Sequence, residues 1–345
     1  MELPAGIPTS DLFDIRQTPD AGRAVFAAKA IAADTLIWHG DDVALNVLVR
    51  EYRREVCAEC FAYEQGRHLR MREPSVGFAF CSVGCWTRWK EGVGEAGVQA
   101  WTAVEKLVKG RSNEDADMVD VGLPRPGAED IRQAWEGVEV QATLIRIARE
   151  SEGVGKQHRK ALQKALMQPI SPEIMSFCLS GILWQYNRPQ DWHKLLALAE
   201  DETPYLDTDN LTAFTRTYLH LLSILPTPLL PLVSSKTLFI LSSRDSHNAF
   251  GIRSLEDDGS EFFGYGCWPS ASYFNHSCAP NVDKERDGRV WLFRAARDIE
   301  EGEQLCITYL SGQERKLGRE QRMKLLRENW GFECACQRCA GSEAC

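Results

Sequence analysis

Two kinds of residue in this chain could do chemistry by type and spacing: cysteines in pairs, and a polar run that precedes the last of them. The run is Tyr273-Phe274-Asn275-His276-Ser277-Cys278-Ala279-Pro280-Asn281, followed by a strand-like Leu305-Cys306-Ile307-Thr308-Tyr309 and then by Phe332-Glu333-Cys334-Ala335-Cys336-Gln337-Arg338-Cys339. Cys334, Cys336 and Cys339 offer three thiolates, one short of the four that structural zinc takes. Cys278 is the natural fourth. Such a site would tie the end of the chain onto its core and make metal binding part of folding. Cys57, Cys60, Cys81 and Cys85 form a second set, two pairs about twenty residues apart, a spacing that suits another tetrahedral thiolate site. His68 stands alone between those pairs and reads as a surface residue. Cys178, Cys267 and Cys306 read as small core residues, with Cys345 left over.

The elements that must position these groups can be read from periodicity. Arg23–Ala27 and Thr35–Trp38 are short apolar runs with strand character. Residues 86–236 read as helical: Ile131, Trp135, Val138, Ala142 and Ile145 recur in steps of four and three, as do Leu211, Phe214, Tyr218, Leu221 and Leu225. Ser171-Pro172-Glu173 reads as a helix start with Ser as cap. Trp184, Trp192 and Tyr205 are expected in the core, and the acidic stretch Arg111 to Gly127 as a long mobile loop. Strand signals return at Thr237–Leu241. Asp287-Gly288, between Val282–Arg286 and Arg289–Arg294, reads as a hairpin turn. Glu300–Glu303 should feed the strand ending at Tyr309, and a charged helix, about Gln313 to Glu328, should lead into the last cysteines.

In this order and at these spacings, the Asn-His-Ser-Cys run, the strand ending in Tyr309 and the terminal C-x-C-x-x-C resemble the carboxyl half of a SET-domain protein-lysine methyltransferase. Cys57, Cys60, Cys81 and Cys85, followed by Trp89, resemble the MYND finger of the SMYD (SET and MYND) family. The finger is reduced here to one zinc, because the middle cysteine pair and the His-x-x-x-Cys ending of a second site are missing. The resemblance is to small fungal-type members, in which the C-terminal helical domain of SMYD proteins is expected to be absent. It implies an α+β fold: small SET-type β-sheets with a pseudoknot-like crossing, split by a zinc finger and a helical insertion and closed by a zinc-bound post-SET segment. The expected divisions are 1–50 (N-terminal SET half), 51–100 (finger), 101–236 (helical insertion), 237–310 (C-terminal SET half) and 311–345 (post-SET segment).

The same resemblance implies S-adenosylmethionine as methyl donor, two zinc ions, and a lysine-containing protein or peptide substrate, a histone tail or another protein. Gly22, Arg23 and Ala24 would form the donor-cradling turn, with Ala24 where a second Gly usually stands. Asn275 and His276 match the pair that holds the donor, Ser272 and Phe274 flank it, and Phe332 would pack on it. Tyr309 takes the place of the catalytic tyrosine. Phe250, within His247–Ile252, and Trp330 would wall the lysine channel. Lysine has a reference pKa of about 10.4, so its amine must be deprotonated before it can attack. A narrow apolar channel and a nearby sulfonium both disfavour the ammonium, which leaves alignment as the main task of the site.

Composition narrows the alternatives. A net charge of −9 argues against a broad nucleic-acid footprint on electrostatic grounds and suits a basic protein substrate. Met1–Gly6 lacks the basic start and apolar run of a secretory leader, so twelve cysteines argue for metal rather than disulfides. Leu221 to Val233 is too short and too proline-broken to span a bilayer. The expectation is a monomer of the nucleus or cytoplasm with neither membrane nor direct nucleic-acid contact. A catalytically silent SET/MYND scaffold is the alternative from another class, and donor binding separates the two. A zinc-dependent nucleic-acid binder is a third reading, disfavoured by the acidic charge and by the lack of a basic helix.

Overall fold

The computed structural model describes residues 5–18, 22–110, 124–151, 155–255, 259 and 261–340. Residues 111–123 of the expected acidic loop, Ala21 of the expected donor turn and Cys345 lie outside the described residues. The chain divides into two compact units: Met1–Ala44, His193–Leu198 and Ser246–Cys345 form one, and Leu45–Trp192 with Ala199–Asp245 forms the other.

The first unit opens with an antiparallel hairpin, β1 (Phe13–Thr18) and β2 (Gly22–Ala27), in register from Phe13↔Ala27 to Thr18↔Gly22. Gly22 takes φ +66°, a value glycine adopts at little cost. Ala24 is fully buried in β2 and is not among the described non-glycine residues with positive φ, which are Asp34, Phe61 and Gln65. Alanine therefore meets no backbone strain at the position where the resemblance would place a second glycine. β3 (Leu36–Gly40) follows.

The second unit begins with β4 (Leu45–Leu48), β5 (Met71–Glu73) and β6 (Phe78–Phe80); β5 and β6 pair antiparallel. α1 (Val83–Lys109) is interrupted at Gly94, φ +70°, and carries on through residue 100, so the second cysteine pair runs directly into the helical part. α2 (Ala128–Glu150) and α3 (Lys156–Leu166) come next, then α4 (Pro172–Asn187), α5 (Trp192–Leu196) and α6 (Thr208–Ile224). The sequence periodicity holds: α2 buries Ile131, Trp135, Ala142 and Ile145, and α6 buries Leu211, Phe214, Tyr218 and Leu221. α4 is apolar nearly all round, as expected of a central helix. At Gly181 of α4 a Cβ would lie 2.4 Å from the Leu241 side chain, so only glycine permits that approach. Ser171 occupies the cap position of α4 but its side chain makes no capping bond; Pro172 in the first turn is the start signal that operates. Trp184 and Tyr205 are core, the Tyr205 hydroxyl accepting from Trp135 Nε1 at 3.0 Å, while Trp192 is half-buried.

Thr237–Leu241 is not a strand. It lies within α7 (Ser235–Asn248), where Leu238 and Leu241 are buried three residues apart and Ser234 Oγ accepts from the Thr237 N–H at 3.0 Å. A short apolar run carries no period of its own, and here the serine cap and the three-residue step decide for helix.

β7 (Ala249–Arg253) and β8 (Phe262–Cys267) pair antiparallel. β9 (Asn275–His276) precedes the hairpin of β10 (Val282–Asp287) and β11 (Val290–Ala295), which turns at Asp287-Gly288 with Gly288 at φ +58°. β11 also pairs with β3, completing a three-stranded sheet. β12 is only Cys306–Ile307 and runs parallel to β9. The predicted helix at Gln313–Glu328 starts later and ends later than expected: a short turn at Glu314–Lys316 precedes α8 (Arg319–Trp330), which stops at Gly331 with φ +73°. The left-handed glycine supplies the stop. α9 (Gln337–Ala340) ends the described chain. Among the described residues no helix is long and apolar enough to cross a membrane.

Candidate active site

In the first unit, the segment 303–309 is held on two sides. Leu305 N–H donates to Val25 O and Ala27 N–H to Glu303 O on the β2 side, while Cys306 and Ile307 pair with Asn275 and His276 on the other. Asn281 fixes the register: its Oδ1 accepts from Cys306 N–H at 2.8 Å and its Nδ2 donates to Gln304 O at 2.9 Å. The expected turn at Gly22-Arg23-Ala24 is instead the start of strand β2, and Asn275 Nδ2 donates to Arg23 O at 3.1 Å, joining that strand to β9. These bonds deliver Tyr309 to an open pocket that is also lined by Phe250, Ser272, Phe274, Lys284 and Trp330.

Tyr309 is fixed at both ends. Its hydroxyl donates to Phe274 O at 3.1 Å, and its backbone N–H donates to His276 Nδ1 at 3.0 Å. Burial pushes the phenol pKa up, so the hydroxyl stays protonated. Burial, with Lys284 and Arg322 nearby, holds His276 down at about 4, so the ring is neutral at neutral pH. With Nδ1 accepting, the one ring proton is on Nε2, 3.3 Å from Cys278 Sγ, and donates to that sulfur. Trp330 and Phe332 pack on Tyr309 at 5.6 and 6.2 Å, and Phe332 on His276 at 5.9 Å. Phe274 stacks on Phe293 at 4.7 Å. The Ser272 hydroxyl faces Asn248 O and Trp268 O, each at 3.0 Å.

Both cysteine sets converge. The Sγ atoms of Cys278, Cys334, Cys336 and Cys339 lie within 4.8 Å of one another in the first unit, as do those of Cys57, Cys60, Cys81 and Cys85 in the second. A tetrahedral zinc with Zn–S of 2.3 Å needs sulfurs about 3.8 Å apart. Cys278–Cys334 at 4.0 Å, Cys278–Cys339 at 3.5 Å and Cys60–Cys81 at 3.6 Å fit that requirement. In the finger, Ser82 Oγ caps α1 by accepting from Cys85 N–H, and Arg88 donates to Cys85 Sγ at 3.0 Å. One thiol in each set is held down and its neighbours up: a hydrogen bond from the Cys60 thiol holds Cys57 at about 5 while Cys60 and Cys81 are raised, and backbone N–H groups led by Cys278 hold Cys336 at about 6 against its burial while burial raises Cys278 and Cys334. His68 is exposed, 3.7 Å from Glu55, and joins neither set. Cys178 and Cys267 are buried, and Cys306 is half-buried in β12.

The structure thus lines one pocket with Phe250, Ser272, Phe274, Tyr309 and Trp330, and it places His276 and Phe332 against Tyr309, while Asn275 ties β9 to Arg23 of β2. Sequence reasoning missed Lys284, whose only signal is a basic residue placed mid-strand in the hairpin.

Comparison with known proteins agrees with this geometry. The yeast (Saccharomyces cerevisiae) protein described as "Potential protein lysine methyltransferase SET6" is 26% identical, over 96% of this chain and 95% of its own length. Histone-lysine N-methyltransferase ASHR2 of Arabidopsis thaliana is 29% identical over 54% of this chain and 50% of its own. Histone-lysine N-methyltransferase SMYD3 of Homo sapiens is 47% identical over 76 residues, 22% of this chain and 17% of that protein. The family profile described as "SET domain" matches residues 22–310, a span that takes in β2, the Asn275-His276 run and Tyr309, and the chain belongs to the SET-domain family.

Proposed function

We propose that this chain is a protein-lysine N-methyltransferase that uses S-adenosylmethionine and acts on a lysine of a histone or another protein. The observation that carries this is Tyr309, held by Phe274 O and His276 Nδ1 at the wall of an aromatic pocket. S-adenosylmethionine supplies the sulfonium-bound methyl group. Asn275 and His276, with Gly22, Arg23 and Ala24 at the start of β2, would hold the donor, and Ser272, Phe274 and Phe332 would border it. Phe250 and Trp330 form the walls that strip water from the incoming amine, which favours its neutral, nucleophilic form. The Tyr309 proton is committed to Phe274 O, which leaves the phenol oxygen free to accept from an amine N–H and orient it. Two zinc ions, one in each cysteine set, would act structurally: the first holds the finger, the second fastens 334–339 to Cys278. The protein would work as a monomer in the nucleus or cytoplasm.

The test is methyl transfer from deuterated donor to core histones and lysine peptides by zinc-replete protein, beside Tyr309→Phe. Transfer by the wild type, lowered by about 10²-fold in the variant as expected for loss of one orienting hydroxyl, supports the assignment. A folded, zinc-loaded protein that neither binds donor nor transfers methyl would leave the scaffold as the function.

A further inference from the structure

The pocket that would admit a lysine already contains one. Lys284 lies mid-way along β10 and lines the pocket with Tyr309, Phe250 and Trp330. Its ammonium sits 5.4 Å from the centre of the Phe250 ring and 5.5 Å from that of Trp291. Among the described residues no carboxylate pairs with it. The charged groups that act on it are Arg253 of β7 and Arg315 after β12, both cations; burial together with these pushes its pKa down to about 8. Its own charge reaches His276 on β9. Lys284 therefore brings a cation to the pocket wall of a chain whose net charge is −9, and the two arginines that act on it add to that sign.

This arrangement opposes entry of a second cation, and among the described residues it holds no anion against Lys284. Screening confines such effects to roughly 8–10 Å in physiological salt, so the local sign at the pocket, and not the acid surface elsewhere, governs what docks beside Tyr309. A carboxylate brought by the substrate would offset that sign, since a partly desolvated ammonium gains most from a partner of opposite charge. We propose that Lys284 determines specificity, making the site select target lysines flanked by Asp or Glu. The inference rests on the pocket being the site of lysine methylation.

The experiment uses full-length, zinc-replete protein, deuterated S-adenosylmethionine and a peptide library with one central lysine and randomised neighbours. The readout is the ratio of acid-flanked to base-flanked products, which is independent of the overall rate. The wild type should favour acidic neighbours by about tenfold or more. Lys284→Arg should keep the preference, Lys284→Met should abolish it, and Lys284→Glu should shift it toward Lys or Arg neighbours. A wild-type preference for basic neighbours, or the same ratio in the wild type and Lys284→Met, overturns the proposal while leaving methyl transfer itself intact. So does a methyl mass on Lys284 of the protein incubated with donor alone, which would make it a substrate and not a selector. Donor binding with no transfer to any peptide or to histones removes the methyltransferase reading, and this inference with it.

Discussion

The bond from Asn275 Nδ2 to Arg23 O, at 3.1 Å, is the described side-chain tie between the Gly22-Arg23-Ala24 start of β2 and β9. Asn275→Ala removes it without adding bulk. A half-buried hydrogen bond contributes about 1 kcal/mol net, and a carbonyl left without its donor costs about 1–3 kcal/mol. Taking 1–2 kcal/mol for the pair, a site that relies on this tie to hold the donor should lose affinity about 5- to 30-fold. The assay is calorimetric titration of the zinc-replete protein with S-adenosylmethionine, with thermal unfolding measured in parallel to show that the variant is folded. Asn275→Asp is the sharper control: it keeps the shape but sets a carboxylate against the Arg23 carbonyl, so it should bind donor more weakly than the alanine variant. If Asn275→Asp binds like the wild type while Asn275→Ala does not, the tie to Arg23 is not what the donor needs. If all three bind alike, Asn275 has no part in the donor site.

Two further outcomes follow from the cysteine sets and from α7. Cys278→Ser and Cys57→Ser should each lower bound zinc, measured by native mass spectrometry, from two ions to one, but only Cys278→Ser should weaken donor binding, because His276 donates to Cys278 Sγ and accepts from Tyr309 N–H. Equal loss of donor binding in both variants would refute that distinction. In the second unit, Asp245 Oδ1 has no hydrogen-bond partner, and burial pushes the carboxyl from 3.8 up to about 7. The native carboxyl then holds a proton that the unfolded chain has released between about pH 4 and pH 7, so stability falls as pH rises through that window and levels off above it. Asp245→Asn should raise thermal stability at pH 8, by up to about 4 kcal/mol, and the gain should shrink toward zero near pH 4; a gain independent of pH would show that Asp245 ionises normally.

What was legible in the sequence is what depends on residue type at short range. Cysteine pairs carry their own geometry, so both sets could be named before any fold was known, and Cys278 could be joined to cysteines 56 or more positions away by counting ligands. The Asp287-Gly288 turn and the buried faces of α2 and α6 follow from local φ and from a 3.6-residue period. The strand expected at Thr237–Leu241 failed because four apolar residues in a row have no period, and the choice fell to Ser234, outside the run. β12, two residues long, is defined less by propensity than by Asn281, which binds both Gln304 and Cys306 across the hairpin.

The deeper gap concerns residues whose meaning lies in what they face. Nothing about Lys284 in the string Val-Asp-Lys-Glu-Arg-Asp separates it from the solvent-facing charges beside it; alternation along β10 places it inward, and only the arrival of Phe250 and Trp291 from β7 and β11 makes it a pocket cation. The same is true of His276. As a motif residue it reads as one of a pair, but in the fold it is a relay: a backbone N–H from Tyr309 fixes its tautomer, the tautomer aims Nε2–H at Cys278, and the cysteine cluster around Cys278 anchors that sulfur. A cluster that would look like a remote structural staple therefore sets the position of the tyrosine, much as outer-shell partners orient metal ligands elsewhere. That linkage explains why the polar run and the terminal cysteines, some sixty residues apart in the chain, belong to one functional unit.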